Sequence, residues 1–149
     1  MNEEGRPPVV DDLFCCDVGW LRCSGERWPI QAWFWLEWAV TSLLFVTKPW
    51  GDSAQYDFIV EHQGRFRRMQ VKSTQFFDRG CYPCAVKGSH WPYPEDAFDF
   101  LVVYILPKDL WYIIPEPVFR GQASVALRPE IKDSKYAKYL GAWELIKKE

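Results

Sequence analysis

Long apolar runs are missing from this 149-residue sequence. The most apolar stretch, Ala32 to Val46, is 15 residues interrupted by Glu37. That is short of the roughly 20 needed to cross a bilayer, so it reads as a buried helix and no membrane partner is expected. The N-terminus is acidic and carries Pro7 and Pro8, without a basic region ahead of an apolar run. Nothing there resembles a secretory signal, and a cytoplasmic protein is expected. An excess of positive charge is also missing: the formal charge is -2, which argues against a protein that coats nucleic acid indiscriminately. Five cysteines are an odd count in a chain without a signal, so a disulfide framework is not expected. Cys81 and Cys84 form one CxxC, but Cys15, Cys16 and Cys23 supply no second one. A structural zinc site usually needs two short-spaced pairs, so free thiols are the simpler reading and a zinc-stabilised interaction domain the alternative. Neither His62 nor His90, both in expected loops, is taken as a ligand. Internal repeats and low-complexity tracts are absent.

An apolar fraction of 48% and a charged fraction of 26% are those of one soluble globular domain. Aromatics reach 17%, and Trp28, Trp33, Trp35 and Trp38 crowd together, so large rings are expected to dominate the packing. Residues 1–24 show no sustained periodicity and read as a poorly structured arm, with the domain occupying 25–149. Pro29 suits the first turn of a helix, and Ile30 to Phe45 runs without Gly or Pro as that helix. Tyr56 to Glu61 and Arg65 to Ser73 are strand candidates around "HQGR". "CYPCAVKG" is a third candidate, followed by a proline-containing loop. "FDFLVVYIL", a "PKD" turn and "LWYIIP" make a second hairpin. Tyr136, Tyr139, Leu140, Trp143 and Ile146 are spaced as on a closing helix.

With Gln63 and Gly64 as the turn of the first hairpin, His62 faces Arg65, Ile59 faces Arg68 and Asp57 falls opposite Gln70. Side chains repeat with period two, so Asp57, Gln70 and Lys72 project from one face, and Phe58, Val60, Met69 and Val71 from the other. The second set looks like core. In the first set, Asp57, the Gln70 amide oxygen and the Val71 carbonyl offer oxygen ligands to a hard cation such as Mg²⁺. Lys72 would orient the attacking water and offset charge in the transition state. Arg67, Arg68, Ser73 and Thr74 are candidate contacts to backbone phosphates. A merely solvated polar face is the other reading of the same residues.

Asp57, the turn and "QVKST" resemble the PD-(D/E)XK nuclease superfamily. The likeness is to the branch whose middle acid is Gln, as in group I intron homing endonucleases and related small bacterial proteins. It extends over "KPWGDSAQYDF" and "DFLVVYILPKDLWYIIP", and so most of residues 25 to 146. The resemblance implies an α/β, restriction-endonuclease-like core, a mixed β-sheet flanked by helices. It further implies an endonuclease that hydrolyses DNA with Mg²⁺, Mn²⁺ substituting, and without a small-molecule cofactor. Asp57 and Gln70 match the metal-binding pair and Lys72 the catalytic lysine; a homo-oligomer is the usual form. One departure stands out. The helix acid of this branch is due near Gln31, Ala32 and Trp33, where no acid occurs. Glu37 lies about 140° around that helix from Ala32, and Glu26 just precedes it, leaving two stand-ins. With neither in reach, the expectation becomes a catalytically impaired nucleic-acid-binding protein of the same fold.

Overall fold

The computed structural model describes residues 20–23, 26–29, 45–49, 54–87 and 93–148. β1 (Trp20–Cys23) and β2 (Glu26–Pro29) pair as an antiparallel ribbon. Residues 20–23 of the expected arm are therefore strand, and Pro29 ends a strand rather than opening a helix. The central sheet contains β3 (Phe45–Thr47), β4 (Phe58–His62), β5 (Arg65–Thr74), β7 (Phe100–Ile105) and β8 (Leu110–Pro115), in the order β3-β4-β5-β7-β8. A separate two-stranded sheet joins β6 (Tyr82–Ala85) to β9 (Ser124–Leu127). The central sheet is mixed: β5 and β7 run parallel, and its other pairs are antiparallel. This is the α/β, restriction-endonuclease-like core expected from the sequence. No helix among the described residues is long and apolar enough to cross a membrane.

The β4–β5 hairpin has the expected register, His62 facing Arg65 and Ile59 facing Arg68. Gln63 and Gly64 both take positive φ, 51° and 77°, as a two-residue turn requires when its twist must match the strands. Phe58, Val60, Met69 and Val71 are buried with Phe100, Val102, Ile113 and Ile146, so the expected core face is the real one. The opposite face is also apolar over β7 and β8, where Leu101, Val103 and Ile105 pack with Tyr112, Ile114 and the β6–β9 sheet. Apolar cover on both sides explains why β7 is buried at every position.

Two expected helices need correction. Phe45, placed at the end of a helix, begins β3 and pairs with Glu61; the remainder of that helix, with Glu37, lies outside the described residues. The closing helix is broken into a 3-10 turn at Ala137–Tyr139 and a single helical turn, α2 (Glu144–Lys147), the latter following α1 (Glu116–Phe119) in chain order. Leu140 bridges to Tyr112 and the Gly141 N–H donates to the Trp111 carbonyl at 2.7 Å, with Gly141 at φ 61°. Pairing with the edge of β8 outweighs the helical spacing there.

Candidate active site

β4 stops one residue short of the functional side chain. The Asp57 N–H still donates at 2.8 Å to the carbonyl of Met69, the residue that also pairs with Phe58, and this ties Asp57 to β5 just past the last paired residues. Beyond that point β5 has no strand neighbour on this side among the described residues, and the Val71 N–H would be left without an acceptor among them. Asp57 Oδ2 accepts it at 2.7 Å and also accepts the Gln70 Nε2–H at 2.6 Å. Both bonds fall on one oxygen. Among the described residues no hydrogen-bond donor reaches Oδ1. The N–H and C=O of one strand residue point the same way, so the Val71 carbonyl also faces the gap beyond β4.

Gln70 is buried at 7% exposure, while Asp57 and Lys72 are half-buried on the same face. Burial holds the Asp57 carboxyl above its ordinary range, opposed by the Val71 N–H, the positive charges of Lys72 and Lys48, and the Gln70 amide. Burial thus outweighs two cations and two donors, a condition that a bound cation would relieve. Such perturbed carboxyls are concentrated at functional sites. The Lys72 ammonium lies 5.6 Å from the centroid of the Tyr93 ring. Its field also reaches Cys84, whose thiol burial pushes up to about 12.

A hard divalent cation fits this donor set. An unengaged carboxylate oxygen, a side-chain amide and an outward carbonyl are all oxygen donors of the kind Mg²⁺ and Mn²⁺ take. The set holds a single acid, and no cluster of three or more His, Cys, Asp or Glu is found among the described residues. Glu37 is not among them, and the Glu26 side chain is not described. The CxxC does not make a zinc pair: Cys84 is buried in the core and Cys81 donates to the Asp78 carbonyl.

The expected phosphate contacts are mostly engaged elsewhere. Arg68 donates through its backbone N–H and its guanidinium to Asp99, and also to the Asp96 carbonyl. Arg67 donates to the Lys148 carbonyl at 3.2 Å. Thr74 is buried, its hydroxyl donating to the Pro83 carbonyl at 2.8 Å. Of the four, only Ser73 is exposed. Trp111 is stacked on Tyr104 and leans on Trp143, so its ring is used within the protein. Lys48 and Tyr93 are brought to the site without having been singled out in the sequence. Lys48 sits in the "KPWGD" flank, where the likeness was its one signal; for Tyr93, in a loop, there was none.

The hairpin thus ends in an acid, with an amide and an amine on the same face of the next strand, which is the pattern on which the sequence resembled a nuclease. The sequence model of the PD-(D/E)XK endonuclease family matches residues 38–146, and the chain belongs to that family. Among solved structures it is similar to the bacterial homing endonuclease I-Ssp6803I, at 26% identity and a TM-score of 0.69. That match covers 79% of this chain and 88% of the other. No curated protein matches the chain.

Proposed function

We propose that this nuclease-family chain is a divalent-metal-dependent DNA endonuclease that works at the open end of the β4–β5 hairpin. The observation that carries the reading is the Asp57 carboxylate, fixed through Oδ2 by Gln70 and the Val71 N–H, with Oδ1 left over and Lys72 on the same face. Asp57, Gln70 and the Val71 carbonyl would hold Mg²⁺ or Mn²⁺, which supplies polarisation of the phosphate and a lowered pKa for water. Gln70 keeps the carboxylate from rotating, so the free oxygen stays aimed into the gap. Lys72 orients the attacking water and offsets charge gathering on the phosphate oxygens. Exposed Ser73 follows Lys72 on the strand and is the backbone-phosphate contact the reading retains; Arg67 and Arg68 shape the strand's start. Either Glu37 or Glu26 is proposed to complete the metal shell.

A second reading is favoured by the single acid of the described site: a DNA-binding protein of this fold that cuts poorly. Incubation of supercoiled plasmid with Mg²⁺, with Mn²⁺ and with a chelator separates the two. Metal-dependent nicking or linearisation supports the endonuclease; salt-sensitive binding without product at any metal concentration supports the second reading.

A further inference from the structure

Seven residues link the end of β5 to β6. Within them Asp78 and Cys81 exchange backbone hydrogen bonds at 2.9 and 3.0 Å. Arg79 and Gly80, between them, both take positive φ, 47° and 79°. This is the same tight two-residue turn as at Gln63 and Gly64, so the segment is an arm with a fixed tip. Its base is fixed too: the Thr74 hydroxyl donates to the Pro83 carbonyl, tying β6 to the catalytic strand two residues beyond Lys72. What the arm presents is unusual for a surface loop. Phe76 is 72% exposed and Phe77 62%, and Phe77 lies 5.0 Å from Tyr82 between ring centroids. The Arg79 side chain is 92% exposed, with Asp78 at 4.0 Å as its ion-pair contact.

Two adjacent exposed large aromatics beside a fixed two-residue turn are a recognition feature rather than ordinary surface. We infer that residues 75–81 are a DNA-engaging arm in which Phe76 stacks on or wedges between bases beside the cut and Arg79 contacts a phosphate. The occupant is taken as duplex DNA because the arm directly continues the strand that carries Lys72 and joins an exposed cation to two exposed rings, which suits a ligand with phosphates and bases. Apolar wedges inserted at base steps are a general way for proteins to hold distorted duplexes. This inference rests on the endonuclease reading and adds a residue set that fixes where along the duplex the protein settles.

The test uses the full chain carrying Asp57→Asn, so that binding is read without cleavage. A short random-sequence duplex, labelled with fluorescein, is titrated at several salt concentrations with and without Phe76→Ala and Arg79→Ala. A duplex containing 2-aminopurine reports unstacking. Phe76→Ala is expected to weaken binding at least about fivefold, the lower end of what one stacked base contributes, and to abolish the 2-aminopurine signal. Arg79→Ala should flatten the dependence of log affinity on log salt by about one unit. Thermal melts matching the parent would show that the exposed substitutions left the fold alone. Unchanged affinity and unchanged 2-aminopurine fluorescence in both variants would overturn the arm while leaving the hairpin site standing. Loss of self-association in Phe76→Ala without loss of DNA binding would overturn it in favour of a second copy of the chain. A parent that binds no duplex at low salt would remove the proposed function and the arm together.

Discussion

Asp57→Asn should make the metal-free protein more stable while abolishing its activity. Both hydrogen bonds to the Asp57 side chain end on Oδ2, so an asparagine carbonyl oxygen placed there keeps the Val71 N–H and the Gln70 amide satisfied. What disappears is a charge that burial disfavours. A gain of roughly 0.5–2 kcal/mol is expected, the usual scale when a functional group that costs stability is neutralised. At this chain length each kcal/mol is about 2–4 °C in Tm. Asp57→Ala removes the acceptor instead, leaving two donors at a half-closed site, and should cost about 1–3 kcal/mol. The sign with pH follows from the raised carboxyl. Its contribution to wild-type stability is fully present below the ordinary value of 3.8 and is lost as pH rises through the folded-state pKa. The advantage of Asp57→Asn over wild type is therefore absent at low pH and grows until that titration is complete. Denaturant unfolding in chelator over a pH series reads all of this. An asparagine variant as unstable as the alanine one at neutral pH, or an advantage that does not change with pH, would refute the reasoning.

Other outcomes follow from the same geometry. Lys72→Ala should lower the cleavage rate by about 10²–10³, the scale of losing one transition-state donor, while duplex affinity changes much less; rates beside binding isotherms measure the split. Gln70→Glu sets a second carboxylate against Asp57 in place of the donor now 2.6 Å away. It should destabilise the metal-free protein and be relieved by Mn²⁺ more than wild type is, which melting with and without the ion shows. Iodoacetamide followed by peptide mapping should mark Cys81 and spare Cys84, whose thiol is buried and held near 12.

The hairpin could be read from sequence because its determinants are local. Gln63–Gly64 is a turn signal, alternation assigns Phe58, Val60, Met69 and Val71 to the core, and once the turn is fixed the pairs from Phe58–Met69 to His62–Arg65 follow by counting. Elements decided by distant partners were not legible. Phe45 is a strand because it pairs with Glu61, sixteen positions on, and β9 finds its partner in β6, about forty positions back. The closing segment has helical spacing, yet Gly141 is bonded to Trp111 and turns into the left-handed region. The same limit applied to the site. Nothing in the sequence shows that Arg68 is bonded to Asp99 and Asp96, or that the Thr74 hydroxyl is bonded to the Pro83 carbonyl. No alternation rule shows that a loop tyrosine will come to lie by Lys72.

If the hairpin is a metal-assisted active site organised by Asp57 Oδ1, the protein takes up a divalent ion there. Titration of Mn²⁺ into the full chain, followed by the loss of the free-ion signal in electron paramagnetic resonance, tests it without any knowledge of the DNA target. Wild type is expected to take up the ion and Asp57→Asn to lose that uptake while remaining folded and at least as stable. Equal uptake by the two proteins, or none by wild type in the presence of duplex DNA, would contradict the account.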